Sequence, residues 1–213
     1  MKPNLLLVLM VAIATLGFVG CEFDEGSDGD SSTTTQPDVT NDESETAVGM
    51  EYRYVRVDDM SGIITGQDPG ADIDAIILEK AAGTDVYADK IEAFQLGVDV
   101  GDNIDPVDAL GAPDSVVDFK GSAPTCNADA GFVSLGGSGY LVAHMGEAIE
   151  VGDSVAVIEV GGCDYGGGMA KLEVVKVQVS VSAEPENQHW VALGQGEGPY
   201  LSLSVITLPE VFN

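Results

Sequence analysis

Leu172-Glu173-Val174-Val175-Lys176-Val177-Gln178-Val179-Ser180-Val181 decides the fold, because from Val175 onward apolar and polar residues alternate strictly. Successive side chains of an extended strand point to opposite faces. Val175, Val177, Val179 and Val181 therefore share one face, and Lys176, Gln178 and Ser180 share the other. That period of two predicts a strand with one face on a core. Shorter runs of the same kind lie at Tyr52–Val57, Ile73–Leu78, Phe132–Leu135, Tyr140–Met145, Ser154–Val160, Trp190–Leu193 and Tyr200–Leu208. Gly, Asp and Pro bound them, and the 27 glycines supply the tight turns between short strands. Eight or so such strands predict an all-β protein, an antiparallel β-sandwich of jelly-roll type. The only helical expectation is a turn or two over residues 106–110.

This sandwich occupies residues 50–213, one domain's length. From Glu51 on it carries 27 of the 36 acids and seven bases, a net charge of −20. Such a balance excludes nucleic acid, whose affinity comes from basic side chains on phosphates, and docking on anionic lipid head groups. It fits a self-repelling surface module, or one whose carboxylates are partly neutralised by divalent cations.

Ahead of the domain, Lys2 precedes an apolar run from Leu5 to Gly20, 16 residues long, where a bilayer-spanning helix needs about 20. Phe18-Val19-Gly20-Cys21 ends it. The layout resembles a bacterial lipoprotein signal, with Phe18 where that signal usually has Leu. The resemblance implies cleavage after Gly20, acylation of Cys21 and attachment to a membrane through the lipid. Glu22 in place of Asp after the cysteine points to the outer membrane of a Gram-negative cell envelope. Two rival readings are an ordinary secretory signal cut after Ala12-Ile13-Ala14, which leaves an apolar region of about seven residues, and an uncleaved anchor, which is too short. Residues 21–49 hold nine acids, no base and little that is apolar. This composition predicts a disordered acidic tether, or an export address read by sorting machinery.

There are three cysteines, Cys21, Cys126 and Cys163. Acylation of Cys21 leaves an even pair in an oxidising compartment, where Cys126 and Cys163 can form a disulfide. In the chain-entropy model such a loop stabilises the fold by roughly 4 kcal/mol. The alternatives are two buried free thiols, or a zinc site, for which two cysteines and two distant histidines lack the ligand-pair spacing.

Three stretches, Ala109 to Asp114, Phe132 to Val142 and Asp153 to Gly161, resemble a run in uncharacterised bacterial cell-surface proteins akin to discoidin-like, galactose-binding-like jelly rolls. Val177 to Ser182, Trp190 and Gly194 resemble that family's strand and hairpin. Tyr54 to Asp59 with Gly70 to Ile76 also matches, but closes the domain in that family and opens it here, as in a circular permutation. The resemblance implies a fold, and no agreed activity.

The chain has no Gly-x-Ser-x-Gly elbow and no His-Glu-x-x-His. His144 shares a strand face with Tyr140 and Val142, the setting of a hydrogen-bonded sandwich histidine. Gly194-Gln195-Gly196-Glu197-Gly198 precedes Pro199 and another strand, so it reads as a β-turn and lacks the helix N-terminus of a pyrophosphate site. Calcium is the better-motivated chemistry, because hard cations take six to eight oxygens from acid-rich loops. Asp99, Asp102, Asn103 and Asp105 are close enough to curl round one ion, and Asp72 and Asp74 alternate at a strand start. The alternative is a set of turn-capping carboxylates. Tyr165 and Trp190 are candidate sugar platforms, or else a turn residue and a core residue. Function then falls into three classes: a binding or adhesion module for a glycan or an envelope protein, a non-catalytic assembly component, and, least supported, a hydrolase. Intact mass of membrane-extracted protein checks the N-terminal reading. An acylated Cys21 terminus that is absent from Cys21→Ser is expected, and an unacylated mass starting near Thr15 contradicts it.

Overall fold

The computed structural model describes residues 50–61, 70–98, 100–120, 125–127, 129–161, 163 and 172–211. The signal, Cys21, the tether, Asp99 and Tyr165 lie outside the described residues. Among the described residues nine strands follow one another: β1 Tyr54–Asp59, β2 Asp72–Glu79, β3 Val86–Gln95, β4 Val133–Ser134, β5 Tyr140–Met145, β6 Ser154–Glu159, β7 Val175–Ser180, β8 Val191–Gly196 and β9 Tyr200–Ser204. The expected helical turn is a 3₁₀ turn over Pro106–Ala109.

Every ladder between these strands is antiparallel, and the hydrogen-bonded order is β8-β7-β1-β5-β3-β2-β6-β9, with β4 also on β2. β8, β7, β1, β5 and β3 form a first sheet; β2, β4, β6 and β9 form a second. β3 joins the two, pairing with β5 along most of its length and with β2 through Val86 and Tyr87. The chain changes sheet at most connections, which gives the nearly closed antiparallel sandwich that the alternation predicts. The two ends of the described domain meet: the Met50 N–H donates to the Val211 carbonyl at 2.9 Å, and the Tyr52 hydroxyl donates to the Pro209 carbonyl at 3.0 Å.

The main core lies between the sheets. Val55 and Val57 of β1, Leu141, Ala143 and Met145 of β5, and Val175, Val177 and Val179 of β7 meet Ile73, Ile76 and Leu78 of β2 and Val155 and Val157 of β6. β7 places its valines as its alternation requires. The polar face of β7 differs from expectation, because Gln178 and Ser180 are buried as well.

β3, at ten residues the longest strand, breaks the two-residue period. Its core-facing residues are Val86, Ala88, Ile91 and Phe94, two apart at first and three apart from Ala88 onward. Register shifts between Ala88 and Lys90 and between Ile91 and Ala93 each insert a residue against β5. A bulge leaves one residue unopposed and moves the next apolar position along by one. β7 is therefore not the longest strand.

The second sheet is buried on both faces. A register shift between Ile73 and Ala75 puts Ala75 and Ile77, with Ala156 and Ile158 of β6 and Val160 just beyond it, into a second cluster. Val116, Phe119, Cys126, Phe132 and Cys163 cover that face. Two links hold the cover. The Asp74 carboxylate, 1% exposed, accepts backbone N–H bonds from Asp114 at 3.3 Å, Ser115 at 3.1 Å and Val116 at 2.8 Å. Cys126 and Cys163 form a disulfide, with Cα atoms 5.8 Å apart. Burial pushes the Asp74 carboxyl up, against the three N–H donors that favour its ionised form. Removing the acceptor strands two buried donors, the N–H groups of Ser115 and Val116, each costing about 1–3 kcal/mol. Asp74→Ala is expected to lower unfolding stability by about 2 kcal/mol or more, with Asp74→Asn intermediate, in denaturant titrations with the disulfide intact. A loss below about 0.5 kcal/mol would show that the cover does not depend on Asp74.

Candidate functional site

The outer face of the first sheet carries Tyr54, Arg56 and Asp58 of β1, Tyr140, Val142 and His144 of β5, and Lys176, Gln178 and Ser180 of β7. They follow from the same alternation that turns the valines inward. Pairing sets them side by side: Arg56 opposes Val142 and Gln178, and Asp58 opposes Tyr140 and Lys176. The Arg56 guanidinium lies 4.3 Å from the centroid of the Tyr140 ring, a cation–π contact. It donates to Asp58 Oδ1 at 2.8 Å and to the Pro185 carbonyl at 2.7 Å. Gln178 Nε2 donates to the other Asp58 oxygen at 3.0 Å.

The segment from Ser182 to Trp190 folds over part of this face. Ser180 donates to Asn187 Oδ1, which also accepts the His189 N–H, and Asn187 Nδ2 donates to the Ser182 and Glu184 carbonyls. These bonds satisfy the buried Ser180 and set the loop's shape. Trp190 Nε1 donates to the Glu184 carbonyl at 3.1 Å. Beyond the loop lies an open groove of about 500 Å³, within the range of small-ligand clefts. Trp190 and Pro185 line it on the loop side, and Arg56, Lys176 and Gln178 on the sheet side. Ser138 lines it too. Its φ of 67° makes it the one non-glycine residue with a left-handed backbone among the described residues. Glycines hold that turn closed: a Cβ at Gly139 would lie 2.1 Å from the Leu135 carbonyl oxygen, and Gly136 has φ +71° with the Val98 carbonyl 2.9 Å from any added Cβ.

Trp190 is half-buried beside this groove and belongs to neither apolar cluster. Of the residues expected as calcium ligands, Asp105 caps the 3₁₀ turn, accepting the Val107 N–H at 3.1 Å, and Asp102 and Asn103 are exposed. Asp72 accepts the Ser134 hydroxyl, and Asp74 holds the loop over the second sheet. No group of three or more His, Cys, Asp or Glu among the described residues is arranged to hold a metal ion. His144 is hydrogen-bonded, with Nδ1 2.7 Å from Asp89 Oδ1, and packs against the Tyr54 ring with centroids 5.6 Å apart. The Gly194–Gly198 stretch divides: Gly194 to Gly196 end β8, and the turn to β9 is Glu197–Pro199.

Trp190 stands out in the sequence as a candidate sugar platform, while the residues the fold sets beside it do not. Arg56, Asp58, Lys176 and Gln178 were legible as polar positions of alternating strands. Nothing local shows that strands about 120 residues apart lie side by side, or that residues 182–190 fold over them.

Glu159 at the end of β6 is a separate feature. It is 2% exposed, and neither carboxyl oxygen makes a well-formed hydrogen bond among the described residues. Burial first, then the charges of Glu173 and Asp72, push its carboxyl up to about 9, against the nearby backbone N–H groups of Glu173 and Asp72, which favour its ionised form. It therefore carries a proton at neutral pH.

With this geometry in place, comparison with known proteins adds no relative: the chain matches no protein-family model, no curated protein and no solved structure.

The Glu159 carboxyl titrates near about 4 in an unfolded chain and at about 9 in the fold. Between those values the folded state keeps a proton that the unfolded state has released. Its stabilisation is complete below about pH 4 and is lost as pH rises toward 9, with a limiting slope of about 1.4 kcal/mol per pH unit. Glu159→Gln is neutral throughout. In denaturant titrations it is expected to match the parent near pH 4 and to exceed it at pH 8. Equal midpoints at both pH values would show that Glu159 is ionised in the folded state.

Proposed function

We propose that this chain is a lipid-anchored protein of the cell envelope, acylated at Cys21, whose β-sandwich is a non-catalytic binding module for a glycan. The observation that carries the reading is the groove over β1 and β7. It joins an aromatic plane, Trp190, to a small set of polar groups fixed in place by other contacts. Sugar rings present apolar C–H faces and hydroxyl edges. A half-buried indole whose N–H is already bonded to the Glu184 carbonyl offers its ring to the first, and the amide and hydroxyl of Gln178 and Ser138 serve the second.

A binding role also suits the electrostatics. A surface carrying net charge −20 stays soluble and resists self-association, as a module held near a membrane must. The His144–Asp89 pair is the arrangement nearest to catalysis. Its histidine packs on Tyr54, and no serine or cysteine is bonded to it among the described residues. The pair reads as a structural bond across β3 and β5.

Glycan-array binding by the mature chain tests the proposal. Saccharide hits that Trp190→Ala weakens by about tenfold or more are expected, the size of a central aromatic contact. An array without hits would sink the glycan reading. Crosslinked envelope partners in its place would make the domain an assembly component.

A further inference from the structure

We propose that the saccharide taken by this groove is acidic: a uronate whose carboxylate pairs with Lys176. The inference rests on the groove being the glycan site and adds the ligand's charge.

Six of the domain's seven bases are described, and five of them have a carboxylate partner. Arg53 pairs with Glu51 at 2.7 Å, Arg56 with Asp58 at 2.7 Å, and Lys80 with Asp153 at 2.7 Å. Lys90 pairs with Glu92 at 3.0 Å, and Lys120 with Glu79 at 2.8 Å. Lys176 is the exception, with no carboxylate partner among the described residues, in a domain where acids outnumber bases by 27 to seven. Its position makes this unexpected, because Asp58 is directly opposite it on β1. Asp58 is already committed, one oxygen to Arg56 and the other to Gln178. The next carboxylate along β1, Asp59, is 3% exposed and accepts the N–H groups of Ser61 and Ala71 at 2.6 and 3.1 Å. Among the described residues, both acids lining the groove are thus turned to internal partners, and the one uncommitted charge is an ammonium.

The arrangement has a chemical complement. An ammonium on a partly desolvated wall is best matched by an anion, through a charge-assisted hydrogen bond. The indole across the groove is matched by the apolar face of a ring. Gln178 Oε1 and the Ser138 hydroxyl remain for ring hydroxyls. A sugar acid carries all three features in one residue. A neutral sugar would leave Lys176 unmatched, and a plain organic acid would leave Trp190 uncovered.

Trp190 is the chain's only tryptophan, so its fluorescence reports the groove. We would titrate the mature chain in detergent with galacturonate and mannuronate trimers, each against its neutral methyl ester. At least one acid trimer is expected to change the emission saturably, its ester binding about tenfold or more weaker. Lys176→Gln is expected to bring acid binding down to the level of the ester without altering ester binding, and Lys176→Arg to retain most of the preference. Unfolding midpoints of both variants, read alongside, separate a lost contact from a lost fold. Acid and ester binding alike, or neutral glycans binding where neither acid does, would overturn the inference and leave the glycan reading standing. If no saccharide of either kind changes the emission, both fall together.

Discussion

Much of this structure depends on one buried carboxylate. Asp74 sits where β2 shifts register and accepts three successive backbone N–H groups, holding residues 114–116 against the second sheet. A stretch of irregular chain can lie over a sheet only if its backbone groups find partners there. With the Cys126–Cys163 bridge fastening the same cover from its far end, Ala75, Ile77, Ala156 and Ile158 become interior residues. The second sheet is then apolar on both faces. The register shift makes this possible, since it moves the apolar residues of one strand, Ile73 and Ala75, into different clusters.

That arrangement divides labour between the sheets. With the second sheet's outer face closed, the first sheet's outer face presents the polar side chains. It is only partly covered, by the Ser182–Trp190 segment, which is tied down by Asn187 and by the bond from Arg56 to the Pro185 carbonyl. Arg56 therefore works structurally, linking sheet, Asp58, Tyr140 and loop. Lys176 is opposite an Asp58 already bonded through both oxygens, and has no carboxylate partner among the described residues. Order at one residue and availability at the other come from the same pairing of β1 with β7.

The sequence displays some of this and conceals the rest, for identifiable reasons. β5 and β7 are legible because alternation is local and neither strand is interrupted. The bridge is legible through cysteine parity. β3 is not, because two bulges stretch its core period to three residues from Ala88 onward, and the charged Asp89, Lys90 and Glu92 break up the alternation. Asp72 and Asp74 illustrate a different limit. Two acids at a strand start suggest cation ligands, yet one receives a hydroxyl and the other three amides from far along the chain. Composition counts oxygens, while the donors that meet them depend on tertiary structure. Trp190 was recognisable as a residue type suited to sugar. Whether it was core or surface turned on a loop conformation set by Asn187, which no periodicity encodes.

The central claim is that ligand is received between Trp190 and the outward residues of β1 and β7. Amide chemical-shift mapping of the mature chain with a uronate oligosaccharide tests it most directly. Shifts are expected to concentrate at residues 56–60, 138, 176–178 and 185–190, together with the Trp190 indole N–H. Saturable shifts confined to another surface, such as residues 102–118, with the Trp190 resonances unmoved, would contradict it.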